Sequence, residues 1–151
     1  MTNPIADLLK SAAILVTGSN TTENHPIFAN YIKEAVLQKG AKLIVVDPRK
    51  IDLVDYATIW LRQKPGTDVA WINGLMHVII RDGLMKTEFI ESRTEGFDAL
   101  KTLVAGYTPE RVTEITGVPA DIIVKTAHLY AKAERASIVY SMGITQHTTG
   151  V

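Results

Sequence analysis

The sequence contains no cysteine, and that absence removes disulfides, thiolate nucleophiles, cysteine-bound zinc and cysteine-bound iron–sulfur clusters from this chain. Long apolar runs are missing too. The stretches at 14–16, 43–46 and 78–80 fall far short of the roughly 20 residues a spanning helix needs, so no membrane contact is expected from this segment. Residues 1–10 lack a basic stretch followed by an apolar core, so no signal peptide is expected at this end. Neither sign of charge dominates, with 16 basic against 16 acidic side chains. Without a net field to attract nucleic acid or an anionic surface, any phosphate binding has to come from the geometry of particular loops. What is present is 151 residues, 46% of them hydrophobic, enough for a single domain over 1–151 with a core of its own.

The order of patterns predicts an α/β fold. Residues 12–17 read as a buried strand, followed by a polar loop over 18–25 and a helix over 26–39. Pro26 suits the first helical turn, where its missing N–H would have had no partner. The apolar stripe of that helix is Ile27, Phe28, Tyr31, Ile32, Ala35 and Val36, and Gly40 ends it. A second strand over 42–46 stops at Asp47-Pro48. Strand, helix and strand in this order favour a right-handed crossover and parallel pairing. A third strand is expected at 58–61, then a helix over 69–81 with Ile72, Leu75, Met76 and Ile79 inward. Short helical pieces broken by Gly96, Gly106, Pro109 and Gly117 suggest a helical insertion around 84–117. A helix over 118–133 and a last strand over 136–141 follow. The expectation is a Rossmann-like, doubly wound, mostly parallel sheet with helices on both faces. The final residues form a Gly- and Thr-rich loop with no covering helix after it, which leads us to expect a piece of a larger multidomain protein.

In such sheets, ligands sit beyond the carboxyl ends of the strands, and four unusual polar segments fall there. The first, 18–26, reads Gly-Ser-Asn-Thr-Thr-Glu-Asn-His-Pro; it matches neither the P-loop nor the three-glycine dinucleotide fingerprint, and helix capping by Asn20 or Asn24 would also explain it. The second is Asp47-Pro48-Arg49. A carboxylate at the end of a second strand can hold a ribose hydroxyl or base edge, and Arg49 can offer a planar donor pair, although a plain Asp-Pro turn is the competing explanation. In the third, 64–68, Gly66 permits close backbone approach, while Thr67 or Asp68 can cap a helix or accept from a guanine ring. The fourth, 141–150, offers the backbone at Gly143 together with Thr145, Gln146 and His147. Of the four histidines only His25 and His147 fall at this edge, and His77 and His128 read as packing or surface residues. Glu91, Glu95, Glu110 and Glu114 form no metal-ligand spacing with a histidine, and no serine-nucleophile elbow or acid/base pair stands out.

Taken in order, these four segments resemble the molybdopterin oxidoreductase family, and most closely its formate dehydrogenase branch. The stretches 91–97 (Glu-Ser-Arg-Thr-Glu-Gly-Phe), 107–110 (Tyr-Thr-Pro-Glu) and 115–118 (Ile-Thr-Gly-Val) look like that branch as well. The resemblance implies a fragment of a catalytic (alpha) subunit that grips one guanine-dinucleotide arm of a molybdopterin guanine dinucleotide cofactor carrying molybdenum or tungsten. It implies that Gly18 belongs to the cofactor-binding set, that Asn20, Glu23 and Asn24 face pyrophosphate or ribose, and that Asp47 and Arg49 contact the nucleotide. Gly66 and Asp68 would border the guanine, with Gly143, Thr145, Gln146 and His147 approaching the pterin or its phosphate. Glu23 stands where some relatives have Asp. The family's metal-binding cysteine or selenocysteine and its [4Fe–4S] cluster belong to the parent only, so the fragment alone is expected to be inactive. The implied partners are the remaining domains of the catalytic subunit and an iron–sulfur electron-transfer protein, in the cytoplasm or periplasm of a prokaryote. Two other readings stay open: a free-standing NAD- or other nucleotide-binding module, and a domain of another molybdopterin enzyme such as a nitrate reductase.

Overall fold

The computed structural model describes residues 3–148 and 150; Met1 and Thr2 of the first ten residues, Thr149 of the fourth polar segment and the final Val151 lie outside the described residues. Four strands form one sheet in the order β3-β2-β1-β4: β1 (Ala13–Thr17), β2 (Lys42–Val46), β3 (Ile59–Leu61) and β4 (Ala136–Tyr140). All pairings are parallel, so the sheet is wholly rather than mostly parallel. β1 has no exposed residue and β2 only its first, which is why both read as continuous apolar runs.

Side chains alternate across the sheet and feed two cores. Leu15, Ile44, Val46 and Leu61 meet α3 (Asp68–Arg81), α6 (Pro109–Thr116) and α7 (Ala120–Ala131) through Trp71, Leu75, Val78, Val112 and Ile123. Ile14, Val16, Leu43 and Val45 meet α2 (Pro26–Lys39) and the 3-10 turns Ile5–Lys10 and Asp52–Tyr56. Each fully buried Leu, Ile or Val contributes about 1.5–3 kcal/mol, so helices cover both faces because both faces are apolar.

Two helix stripes differ from the sequence expectation. Ile27 of α2 is exposed, and the buried positions are Ala29, Ile32 and Ala35. In α3 the inward face is Trp71, Leu75 and Val78 rather than Ile72 and Met76. The reason is a close approach of α6: a Cβ on Gly74 would meet Val112 Cγ2 at 2.7 Å, so the α3 face nearest α6 must include the glycine. The segment expected as an insertion holds α4 (Thr87–Arg93), with no buried residue, and α5 (Phe97–Val104), which buries Val104. Its last helix, α6, enters the core through Val112 and Thr116. The Thr116 carbonyl also accepts the Lys64 amide at 2.9 Å, which ties this segment to the turn after β3. Short helical turns α1 (Thr21–Asn24) and α8 (Met142–Thr145) occupy segments expected to be loops.

Candidate functional site

Register places the strand ends together. Thr17 pairs with Val46 on one side and Tyr140 on the other, and Val46 pairs with Leu61. All four carboxyl ends therefore share one rim. β1 lies between β2 and β4, so the chain leaves the rim beside β1 in two opposite directions, the topological switch at which open sheets hold ligands. At this point Gly18 and Gly143 touch: the Gly143 amide donates to the Gly18 carbonyl at 2.9 Å. A Cβ on Gly18, whose φ is +58°, would stand 2.6 Å from the Gly143 carbonyl carbon, and a Cβ on Gly143 would stand 2.6 Å from Gly18 Cα. Only paired glycines let the β1 and β4 segments cross this closely.

A cavity of about 550 Å³ opens over the crossing, within the usual range for small-molecule sites. Of the residues singled out in the sequence, Gly18, Asn20, Asn24 and Asp47 line it, as do Arg49, Asp68, Gly143 and His147. Glu23, Gly66, Thr145 and Gln146 are not in the lining. For Glu23 the cause is local: α1 turns Thr21 inward and leaves Glu23 exposed. At the third segment Pro65, not Gly66, faces the cavity.

The polar groups are held by bonds that do not serve as helix caps. Asp47 is 4% exposed, with Oδ1 accepting from the Arg49 amide at 2.8 Å and the Arg49 guanidinium 3.6 Å away. The Asp47 carbonyl accepts from Trp60 Nε1 at 2.9 Å. This acid is thus anchored at the end of β2 by both its side chain and its backbone. Neither Asn20 nor His25, the residues that open α1 and α2, makes a side-chain cap; Asn24 instead donates to the Asn20 carbonyl at 3.2 Å. The Thr67 hydroxyl donates to the Lys64 carbonyl at 2.6 Å and does not cap α3. Asp68 accepts from Trp71 Nε1 at 3.2 Å and Gln63 Nε2 at 3.4 Å through Oδ1, while Oδ2 lies 3.0 Å from His147 Nδ1.

Sequence reasoning missed Gln63, which lines the cavity at 5% exposure, and Ser19, buried beside Thr21. Gln63 follows β3 almost directly, so the rule that ligand groups sit past strand ends would have found it. Three buried side-chain oxygens lack a hydrogen-bond partner among the described residues: Thr17 Oγ1, Thr22 Oγ1 and Gln63 Oε1. All belong to strand ends or segments at this rim. An orphaned buried polar atom costs about 1–3 kcal/mol, so their clustering marks the rim as a place shaped for something other than stability.

Comparison with known proteins bears on what that is. The family model described as molybdopterin oxidoreductase matches residues 1–151. The chain is 48% identical, over its full length, to a protein named the alpha subunit of an F420-dependent formate dehydrogenase from Methanocaldococcus jannaschii, of which it covers 22%. It is 42% identical over its full length to formate dehydrogenase H of Escherichia coli, covering 21% of that protein. Among solved structures, the acetylene hydratase of Pelobacter acetylenicus superposes with a TM-score of 0.84 at 33% identity, covering 93% of this chain and 21% of that one. The chain thus spans about a fifth of the length of these relatives.

Proposed function

The chain belongs to the molybdopterin oxidoreductase family, and from that premise we propose that its rim binds the guanine dinucleotide arm of a molybdopterin cofactor as one domain of a formate dehydrogenase-like enzyme. The observation that carries the reading is the convergence of four polar segments on one cavity, drawn together by a glycine pair whose backbones cross closely and which itself lines the cavity. The chemistry of the lining suits such a group. The buried Asp47 after β2 and the partly buried Asp68 at the start of α3 are acceptors for ribose hydroxyls and for the N–H edge of a guanine. Arg49 is a planar donor for phosphate, and of the three orphaned oxygens Gln63 Oε1 belongs to a residue that lines the cavity.

In this reading Asp47, Arg49 and Asp68 grip the nucleotide, while Gly18 and Gly143 admit the phosphate-bearing chain. When bound, the metal-bearing pterin would supply the two-electron oxidation of formate to carbon dioxide in the parent; this chain's residues bind and orient. With no cysteine, the domain offers no thiolate to the metal or to an iron–sulfur cluster, so no formate oxidation is expected from the chain alone. The parent's partners in this reading are its remaining domains and an iron–sulfur electron carrier. One observation favours keeping a second parent in view: the superposing structure is named a hydratase, so the same scaffold accompanies another reaction.

Calorimetric titration of the chain with GMP, GDP and NAD tests the reading. A guanine preference supports it, and a preference for NAD would point to a dinucleotide module of another kind. Asp47→Ala is expected to weaken guanine nucleotide binding about tenfold or more, the worth of one charge-assisted hydrogen bond. Equal affinity in the mutant would remove Asp47 from the site.

A further inference from the structure

The backbone ladder between β2 and β3 ends at Asp47, whose amide donates to the Leu61 carbonyl at 3.2 Å. Pro48 has no N–H to continue it. Past that rung, side chains of the neighbouring strand take over. Trp60 Nε1 donates to the Asp47 carbonyl at 2.9 Å, and Arg62 Nε donates to the Pro48 carbonyl at 3.3 Å. The two donors also meet each other, with the Arg62 guanidinium over the Trp60 ring at 5.7 Å. Trp60 itself is partly buried against the core on the α2 side of the sheet. A plain Asp-Pro turn is closed by one local bond, here from the Arg49 amide to Asp47 Oδ1. This turn has two successive carbonyls tied from outside as well.

We propose that Trp60 and Arg62 are positioning residues of the nucleotide site. Neither lines the cavity; they act through Asp47 and Arg49, and what those two groups hold rests on the guanine reading above. The bonded carbonyls belong to the peptide units on either side of Pro48, so pinning both restrains the turn that carries the acid and the guanidinium. The bond from the Arg49 amide to Asp47 Oδ1, at 2.8 Å, then closes on a fixed frame. Because the indole is packed into the core, the two ligand-facing groups inherit the rigidity of the sheet rather than that of an exposed loop. A carboxylate and a guanidinium that serve a ribose hydroxyl and a phosphate together need their directions set beforehand, since ordering them on binding costs affinity. Arg62 suits its place through its shape. It offers a directed N–H to the carbonyl and a flat face to the indole, and lysine has neither.

The test is calorimetric titration of GMP into the chain and into Trp60→Phe, Asp47→Ala and the double variant, with Arg62→Ala and Arg62→Lys alongside. Trp60→Phe keeps a ring against the core and removes the N–H, and is expected to weaken GMP about three- to tenfold, the value of one hydrogen bond. Asp47→Ala removes both the carboxylate and its bond to Arg49, so adding Trp60→Phe to it should weaken GMP by no more than about twofold. A loss of equal size in both backgrounds, or none in either, overturns the positioning role while the guanine reading stands. Arg62 is exposed, so its variants do not threaten the fold; alanine and lysine are both expected to weaken GMP, and full recovery with lysine would reduce Arg62 to a distant charge and overturn its part. If the chain prefers NAD to GMP, the guanine reading fails, and the same cycle run with NAD decides the positioning role by itself. Amide hydrogen exchange in the chain without nucleotide is the second measurement. The Arg49 amide is expected to exchange about three- to tenfold faster in Trp60→Phe while amides from Ser92 to Thr102 keep their rates, and an unchanged Arg49 rate overturns the proposal.

Discussion

The rim of the sheet and the helical segment from α4 to α6 are similarly polar in sequence, yet they use polarity in opposite ways. In the helical segment, hydroxyls bond to carbonyls one turn away: Ser92 to Glu88, Thr94 to Ile90, Thr102 to Asp98, Thr113 to Pro109. Its ion pair, Arg111 with Glu114, is local and exposed. At the rim, some polar groups reach partners far along the chain, as Trp60 does Asp47, Gly143 does Gly18 and His147 does Asp68, and three buried oxygens have no partner among the described residues. Polar residues that satisfy themselves within one turn need no further explanation than the helix. Polar residues buried at a cost to stability point to a ligand.

The largest break in this comparison should come from a glycine pair of substitutions. Gly18→Ala places a methyl group into the Gly143 backbone at positive φ, and is expected to cost about 2–4 kcal/mol in denaturant unfolding. Gly96→Ala, also at positive φ but with nothing within 4 Å, should cost only about 1–2 kcal/mol. Equal costs would mean that the rim crossing is not the constraint we take it to be. Next, Val112→Ala tests whether the helical segment is an appendage: because Val112 is fully buried against α3, about 2 kcal/mol should be lost, and a change near zero would detach α6 from the core.

A smaller effect is expected where α3 and α7 are pinned near their C-terminal ends. Arg81 and then His128 hydrogen-bond to Asp82 and hold its carboxyl well below the ordinary carboxylate range. A lowered acid contributes stability above its unfolded pKa, about 4, and loses it as pH falls from there toward the lowered folded value. The Tm difference between the parent chain and Asp82→Asn should therefore be a few degrees at neutral pH and shrink below about pH 4. A difference that grows on acidification would contradict the sign. Smallest of all, Arg111→Ala on the outer face of α6 should change stability by no more than about 0.5 kcal/mol.

Much of this fold was legible in the sequence because its signals are local. Pro26, the 26–39 stripe and Gly40 mark α2 to the residue, and Gly40 does take the left-handed conformation at φ 77° that ends the helix. The strand β2 stands between a glycine-led turn and Asp47-Pro48 as expected. What was not legible depends on distant partners. The inward face of α3 is set by Val112 of α6, which no pattern within 68–81 could reveal. At the site, strand ends carried the signal for Asp47, Asp68 and Gly143, whereas Glu23, Thr145 and Gln146 lie outside the cavity lining because α1 and α8 wind segments that looked like open loops. Gln63, two residues past the short edge strand β3, was missed because only the polar turn beginning at Lys64 was weighed there, although the strand-end rule applied residue by residue reaches it.

The central claim is that the four strand-end segments act as one nucleotide seat, and backbone NMR of the chain titrated with GMP tests it most directly. The account predicts saturable shifts that appear together at Gly18, Arg49, Asp68 and Gly143 with a common dissociation constant, while amides from Ser92 to Thr102 stay in place. Shifts confined to one segment, spread over the helical segment, or absent at millimolar GMP would contradict it.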